Sequence, residues 1–274
     1  MANKEHYLLQ VENSRPESIQ AHKCATPSAA TQAHQESVPL ICLPFAGAGP
    51  SFFNEWNSLT SGMLEIVAVQ LPGREKRFLE EPYRDVAMAV TGMLPEIRER
   101  VGKRGQVAIF GHSLGAVLGY ELARQLTATT GIGVAHLLVS GSPGPWAQRK
   151  RRATGLDDGA FLEQIREFAG YDHPALNDPD LQDMLLPVLR ADVEMHENYR
   201  PAWNHPLPIL ITSMRGSHDE LVTREEAAQW QSATTMPLHL AELPGGHMYL
   251  TTSAGRLLCL IEDIVNEPVN ASLH

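Results

Sequence analysis

The stretch QVAIF-GHSLG-AVLGYELARQL, residues 106–126, sets Ser113 between Gly111 and Gly115, behind a short apolar run and ahead of a helical pattern. A serine hydroxyl becomes a nucleophile only when a base takes its proton and a third group orients that base. Two glycines around it allow a sharp strand-to-helix turn and close packing of helix on strand. An acid and then a histidine should follow along the chain, each just past a strand. After LPILIT comes SMRGSHDELV with Asp219 in a polar turn, and after PLHLAEL comes PGGHMYL with His247. The candidate triad is therefore Ser113, Asp219 and His247.

Rival residues fit less well. The chain holds 12 histidines, so position carries more weight than identity. His218 neighbours Asp219, and adjacent side chains point in different directions. His112 sits inside the turn and reads as a packing residue. Asp192, in LRADVEMHENY, lies in a helical stretch and reads as a structural hydrogen-bond partner. Acyl transfer also needs donors for the oxyanion, as a rule two backbone N–H groups. The residue after the nucleophile, Leu114, supplies one. The glycine-rich segment LICLPFAGAGPSFF follows an early strand, and its Ala46 is the candidate for the other.

Positioning these groups requires strands that end on one edge. From Leu40 onward short apolar runs alternate with helical stretches: LICLP, LEIVAVQL, a helix from about Asp85 to Val101, QVAIF, a helix after Ser113, VAHLLVSG, LPILIT, a helix near Arg224, PLHLAEL, and a last helix to about Val265. This alternation predicts an α/β fold with a mainly parallel central sheet and helices on both faces. In such sheets the working groups gather at the carboxyl ends of the strands. Residues 1–37 are polar and without sustained period, which predicts a flexible tail; residues 38–268 form the domain and 269–274 a C-terminal tail. Residues 145–205 are too long for a simple connection and predict a helical lid, with Asp157 or Asp158 capping one helix and another bent or restarted near Pro187.

Bulk properties narrow the partners. A formal charge of −10 argues against nucleic acid as the main partner. Three cysteines, Cys24, Cys42 and Cys259, are too few and scattered for a disulfide framework or zinc site, and the last two read as core residues. The N-terminus lacks the apolar segment of a secretory signal, and no run reaches the length of a membrane span. A cytoplasmic, membrane-free monomer is expected.

With these segments assembled, the chain from about Leu40 to Val265 resembles the type II thioesterases of polyketide and nonribosomal peptide assembly lines, stand-alone members of the α/β-hydrolase superfamily. LPFAGAGPSFFNEW resembles that family's oxyanion loop, VQLPGREKRFLEEPY its Leu-Pro-Gly-Arg segment, FGHSLGA its elbow and LLPVLRADVEMHENYRP the end of its lid. GSHDELV and GGHMYL supply acid and base. Two departures stand out: FAGAG replaces the more usual Ala-Gly-Gly run, and Met248-Tyr249 stands where aromatic pairs are common. The resemblance implies hydrolysis of acyl or peptidyl thioesters carried on the phosphopantetheine arm of acyl or peptidyl carrier proteins, in an editing role. It implies no metal and no cofactor of the enzyme's own, since phosphopantetheine arrives with the substrate protein.

Other readings share these residues. A carboxylesterase or lipase acting on free small esters would use the same triad, a fused release domain would cyclise its product, and a non-catalytic binding protein would use none of it. The basic run Arg149, Lys150, Arg151 and Arg152 reads as a solvated loop or as a docking patch for an acidic carrier protein. Arg74 reads as a brace for its loop, and Trp56 with Phe52-Phe53 as core.

Overall fold

The computed structural model describes residues 37–102, 104–128, 131–147, 152–169 and 178–267. The expected tails, apart from Ser37, and Arg149, Lys150 and Arg151 of the basic run lie outside the described residues.

Six strands form one sheet: β1 (Val38–Leu43), β2 (Leu64–Ala68), β3 (Gln106–His112), β4 (Gly133–Ser140), β5 (Leu210–Gly216) and β6 (Leu238–Leu243). Their order is β2-β1-β3-β4-β5-β6, and every pairing is parallel. Buried strands of a parallel sheet need apolar side chains on both faces, and the central strand complies: all of β3 except Gln106 is buried.

Seven helices among the described residues connect and cover these strands: α1 (Trp56–Leu59), α2 (Val86–Val101), α3 (Leu114–Ala128), α4 (Asp158–Ala169), α5 (Pro179–Asn198), α6 (Arg224–Ala228) and α7 (Ala254–Asn266). Asp85 starts α2 by accepting the Met88 N–H at 2.9 Å. Its buried residues Val86, Ala89, Val90, Met93, Ile97 and Val101 recur with helical period and pack on one sheet face beside α3. On the opposite face, Leu257, Leu258 and Ile261 of α7 close over Phe53, Trp56 and Phe110. Trp56 and Phe53 are core residues, as expected.

Between β4 and β5 the chain carries α4 and α5. Asp157, rather than Asp158, caps α4 by accepting the Ala160 N–H at 2.9 Å. Asp158 instead reaches Arg190 on α5. Pro187 lies inside α5, which runs on through it without restarting. Phe161 and Leu162 meet Leu186, Leu189 and Val193 in a small core of their own, and Ala46 packs against it.

Candidate active site

Sheet register alone brings the chemistry together. Leu43 pairs with Gly111, His112 with Ser140, Ser140 with Met214, and Gly216 with Leu243. All these strand ends lie on one edge, so the loops carrying Ala46, Ser113, Asp219 and His247 open on the same side. The strand order reverses direction between β1 and β3, the point where α/β sheets leave a crevice. The segment after β1 and the turn after β3 flank that crevice.

The turn at Ser113 is strained. Its φ is +53°, in the left-handed region that L-residues avoid. Packing holds it there. A Cβ at Gly111 would lie 1.9 Å from the carbonyl oxygen of Gly115, and one at Gly115 would lie 2.6 Å from that of Leu43. Only glycine fits either position. The Ser113 N–H donates to the Ser140 carbonyl at 2.8 Å, tying the turn to the end of β4. Leu114 opens α3, where first-turn N–H groups have no partner in the helix's own ladder.

Asp219 follows β5 and His247 follows β6. His247 Nδ1 and Asp219 Oδ2 are 2.9 Å apart, while Asp219 Oδ1 accepts the N–H groups of Leu221 and Val222 at 2.8 and 3.1 Å. Burial alone would raise the Asp219 pKa, but the hydrogen bond and charge of His247 and the two amides hold it below the ordinary value. The carboxylate thus stays ionised, and its bond to Nδ1 leaves Nε2 of the ring to exchange a proton. The His247 ring lies 4.8 Å, centroid to centroid, from the ring of His112, the residue before Ser113. Strand end, elbow and imidazole meet at Gly141 (φ +53°), where a Cβ would lie 2.4 Å from His112 Cε1 and 3.0 Å from His247 Cε1.

The rivals fall away on geometry. His218 is exposed and bonds its own neighbour, Ser217 Oγ, at 3.1 Å. His112 is buried, its Nδ1 2.9 Å from Ser140 Oγ, which in turn lies 2.7 Å from the Tyr249 hydroxyl. Asp192 is fully buried and takes a two-pronged bond from Arg74, each contact 2.8 Å. Arg74 is the brace expected of it, and Asp192 the structural partner. That the two brace each other was not legible in the chain, nor was the Tyr249–Ser140–His112 path. Tyr249 showed only as a departure from a common aromatic pair, and Ser140 only as a strand-end residue.

Comparison with known proteins settles the family. The model described as "Thioesterase domain" matches residues 38–265, nearly the whole described chain. This chain belongs to the thioesterase family. Its relatives include Thioesterase PikA5 of Streptomyces venezuelae, 34% identical over 220 residues, covering 80% of this thioesterase and 77% of that one. Among solved structures, the type II thioesterase BorB from the borrelidin biosynthetic cluster is 34% identical, with a TM-score of 0.73 over 85% of this chain and 93% of that one. The RedJ thioesterase from the prodiginine pathway of Streptomyces coelicolor is 32% identical, with a TM-score of 0.77 over 91% and 96%. The fold is that of an α/β-hydrolase thioesterase, a serine hydrolase by family.

Proposed function

We propose that this protein is a stand-alone type II thioesterase that hydrolyses acyl or peptidyl thioesters from the phosphopantetheine arm of carrier proteins, clearing stalled or aberrant units from polyketide or nonribosomal peptide synthesis. The observation that carries the reading is the left-handed Ser113 at the end of β3 with an Asp219-bonded His247 beside its turn. Similarity to PikA5, BorB and RedJ along most of the chain supports the substrate class.

In this reading His247 Nε2 takes the Ser113 proton as Oγ attacks the thioester carbonyl. Asp219 stabilises the imidazolium that forms, and the N–H groups of Ala46 and Leu114 receive the oxyanion. Collapse of the tetrahedral adduct breaks the C–S bond, and the pantetheine sulfur leaves with the proton held by His247. Water then attacks the acyl-serine with His247 again as base; the second adduct breaks its bond to Oγ, which takes the proton from His247, and the free acid departs. Every proton transfer is met by these side chains and water, so the proposed chemistry calls for neither metal nor cofactor. The carrier protein is the macromolecular partner, and a monomer acting in the cytoplasm suffices. Among the described residues no helix is long and apolar enough to cross a membrane.

The test charges a carrier protein with acetyl, propionyl and longer acyl-phosphopantetheine arms and follows release by intact mass. Matching small thioesters and oxygen esters run in parallel, with Ser113→Ala as control. Ser113-dependent release that is faster from the carrier supports the proposal. Efficient cleavage of small oxygen esters with carrier-bound groups untouched would instead make the protein a carboxylesterase.

A further inference from the structure

Three segments distant in sequence meet at one buried carboxylate. Asp192 Oδ2 accepts the Gly47 N–H at 2.8 Å and Arg74 Nη1 at 2.8 Å, while Oδ1 accepts Arg74 Nη2 at 2.8 Å. Arg74 Nη1 also donates to the Ala48 carbonyl at 2.9 Å, and Nε to that of Pro72 at 3.4 Å. The ion pair is almost wholly out of solvent, with side-chain exposures of 7% and 1%. Gly47 and Ala48 directly follow Ala46, and Asp192 belongs to α5.

We infer that the Arg74–Asp192 pair positions the Ala46 amide for the oxyanion and makes that position depend on α5 being seated. The inference rests on the assignment of Ala46 as an oxyanion donor made above. Peptide groups are rigid planes joined by two soft torsions per residue. Gly47 N–H, in the peptide plane that follows Ala46, is tied to Asp192. Ala48 is tied at both ends, its C=O to Arg74 and its N–H to the Phe45 carbonyl at 3.0 Å, which shares a peptide plane with the Ala46 N–H. The Ala46 amide, one peptide earlier, inherits that constraint.

Packing adds the dependence on α5. At Gly47 (φ +79°) a Cβ would lie 2.6 Å from Leu189 Cδ2, and at Gly73 (φ +82°) one would lie 3.0 Å from Val188 Cγ2. Val188, Leu189 and Asp192 form one patch of α5 pressed on both loops. Glu75, next to Arg74 and itself at φ +46°, accepts the Ser51 N–H at 3.1 Å and the Ser51 hydroxyl at 2.6 Å, bracing the far end of the same loop. Shifting α5 away would withdraw the acceptor from Gly47. An apolar pair could fill the space but could not accept that N–H. Loss of the pair therefore weakens transition-state binding more than substrate binding, which lowers kcat and leaves KM.

The experiment compares wild type with Asp192→Asn, Arg74→Lys and the double replacement Arg74→Met with Asp192→Leu. An acyl-pantetheine thioester gives kcat, KM and the pH profile. An alkyl boronic acid, which forms a tetrahedral adduct on an active serine, reports oxyanion binding, and thermal unfolding reports the fold. The double replacement leaves no orphaned charge, so it should fold near wild-type stability even where Asp192→Asn does not. Expected are a fall in kcat of about 10- to 100-fold for Asp192→Asn and the double variant, a parallel weakening of boronate binding, and KM within about threefold. Arg74→Lys, which keeps a cation against Asp192, should lose less.

Folded variants that keep wild-type kcat and boronate affinity overturn the inference, as does a loss that appears in KM with kcat unchanged. A wild type without Ser113-dependent turnover, or an Ala46→Pro variant with undiminished kcat, removes the premise about the site rather than the brace.

Discussion

Asp219 spends both carboxylate oxygens differently: Oδ2 lies 2.9 Å from His247 Nδ1, and Oδ1 accepts two backbone amides, from Leu221 and Val222. The amides lock the carboxylate plane, and the locked carboxylate fixes the imidazole. Replacing Asp219 by Asn keeps the shape but loses the charge that, in the proposed mechanism, stabilises the imidazolium formed as Ser113 attacks. Turnover of an acyl-pantetheine substrate should fall by about 10³- to 10⁴-fold with the circular dichroism spectrum unchanged. A loss under tenfold would assign the orienting role elsewhere.

The same carboxylate couples stability to acid. Its folded pKa lies below the ordinary value, because the His247 contact and the two amides outweigh burial. As pH falls the unfolded chain takes up that proton first. The stabilisation is therefore whole above the ordinary carboxylate pKa of ~3.9 and is lost as pH drops through the lower folded value. The gap in urea midpoint between wild type and Asp219→Asn should be wide at neutral pH and shrink progressively as the pH falls below about 3.9. An equal gap throughout would disprove the linkage.

Ser113, the proposed nucleophile, is held at φ +53°. Ser113→Gly relieves the left-handed strain, so it should abolish hydrolysis while raising stability by up to about 1 kcal/mol. Ser113→Ala should abolish hydrolysis without that gain. Chemical denaturation of the two inactive proteins measures the difference, and equal midpoints would mean that the turn stores no strain.

Two glycines separate steric from torsional demands. A Cβ at Gly111 would sit 1.9 Å from the Gly115 carbonyl oxygen, whereas one at Gly62 (φ +98°) would meet nothing within 4 Å. Gly111→Ala should cost about 2–3 kcal/mol and destroy activity, because the elbow itself must shift. Gly62→Ala should cost about 1–2 kcal/mol through its torsion alone and leave turnover intact. Activity surviving in Gly111→Ala would refute the close approach of β3 and α3.

His136, buried in β4 with Nε2 2.8 Å from Thr212 Oγ1, titrates against the fold. Burial, with a smaller contribution from His239, lowers its pKa from 6.5 to about 4. The unfolded chain then binds this proton before the folded one does. Its share of stability is complete above pH 6.5 and drains as pH falls towards about 4, up to roughly 3 kcal/mol for a shift of that size. His136→Gln should flatten that part of the stability curve. An unchanged slope would place the titration elsewhere.

Much of this was written locally. Alternation of apolar runs with helical stretches foretold the parallel sheet, because a strand buried on both faces must be apolar throughout while covering helices need only one such face. The candidate nucleophile, acid and base were proposed from the chain for a related reason. Each sits immediately past a strand, flanked by glycines or a polar turn that only a sharp, close-packed backbone requires. Asp157 as a helix cap was legible as one of two choices. Continuity of α5 through Pro187 was likewise left open between a bent helix and a restarted one, since neighbouring packing can carry a helix past a lost hydrogen bond.

What the chain by itself determined is the candidate chemistry: which side chains are proposed to attack, accept a proton and orient the base. Tertiary structure alone decided what holds them. Arg74 and Asp192 lie 118 residues apart, His112 and Ser140 28 apart, Ser140 and Tyr249 109 apart. Such pairs leave no periodic trace, because a buried polar contact depends on where two loops meet and not on the residues beside either partner. The register of six strands brings His112 to Ser140, and the seating of α5 on the loops after β1 and β2 makes the Arg74–Asp192 brace.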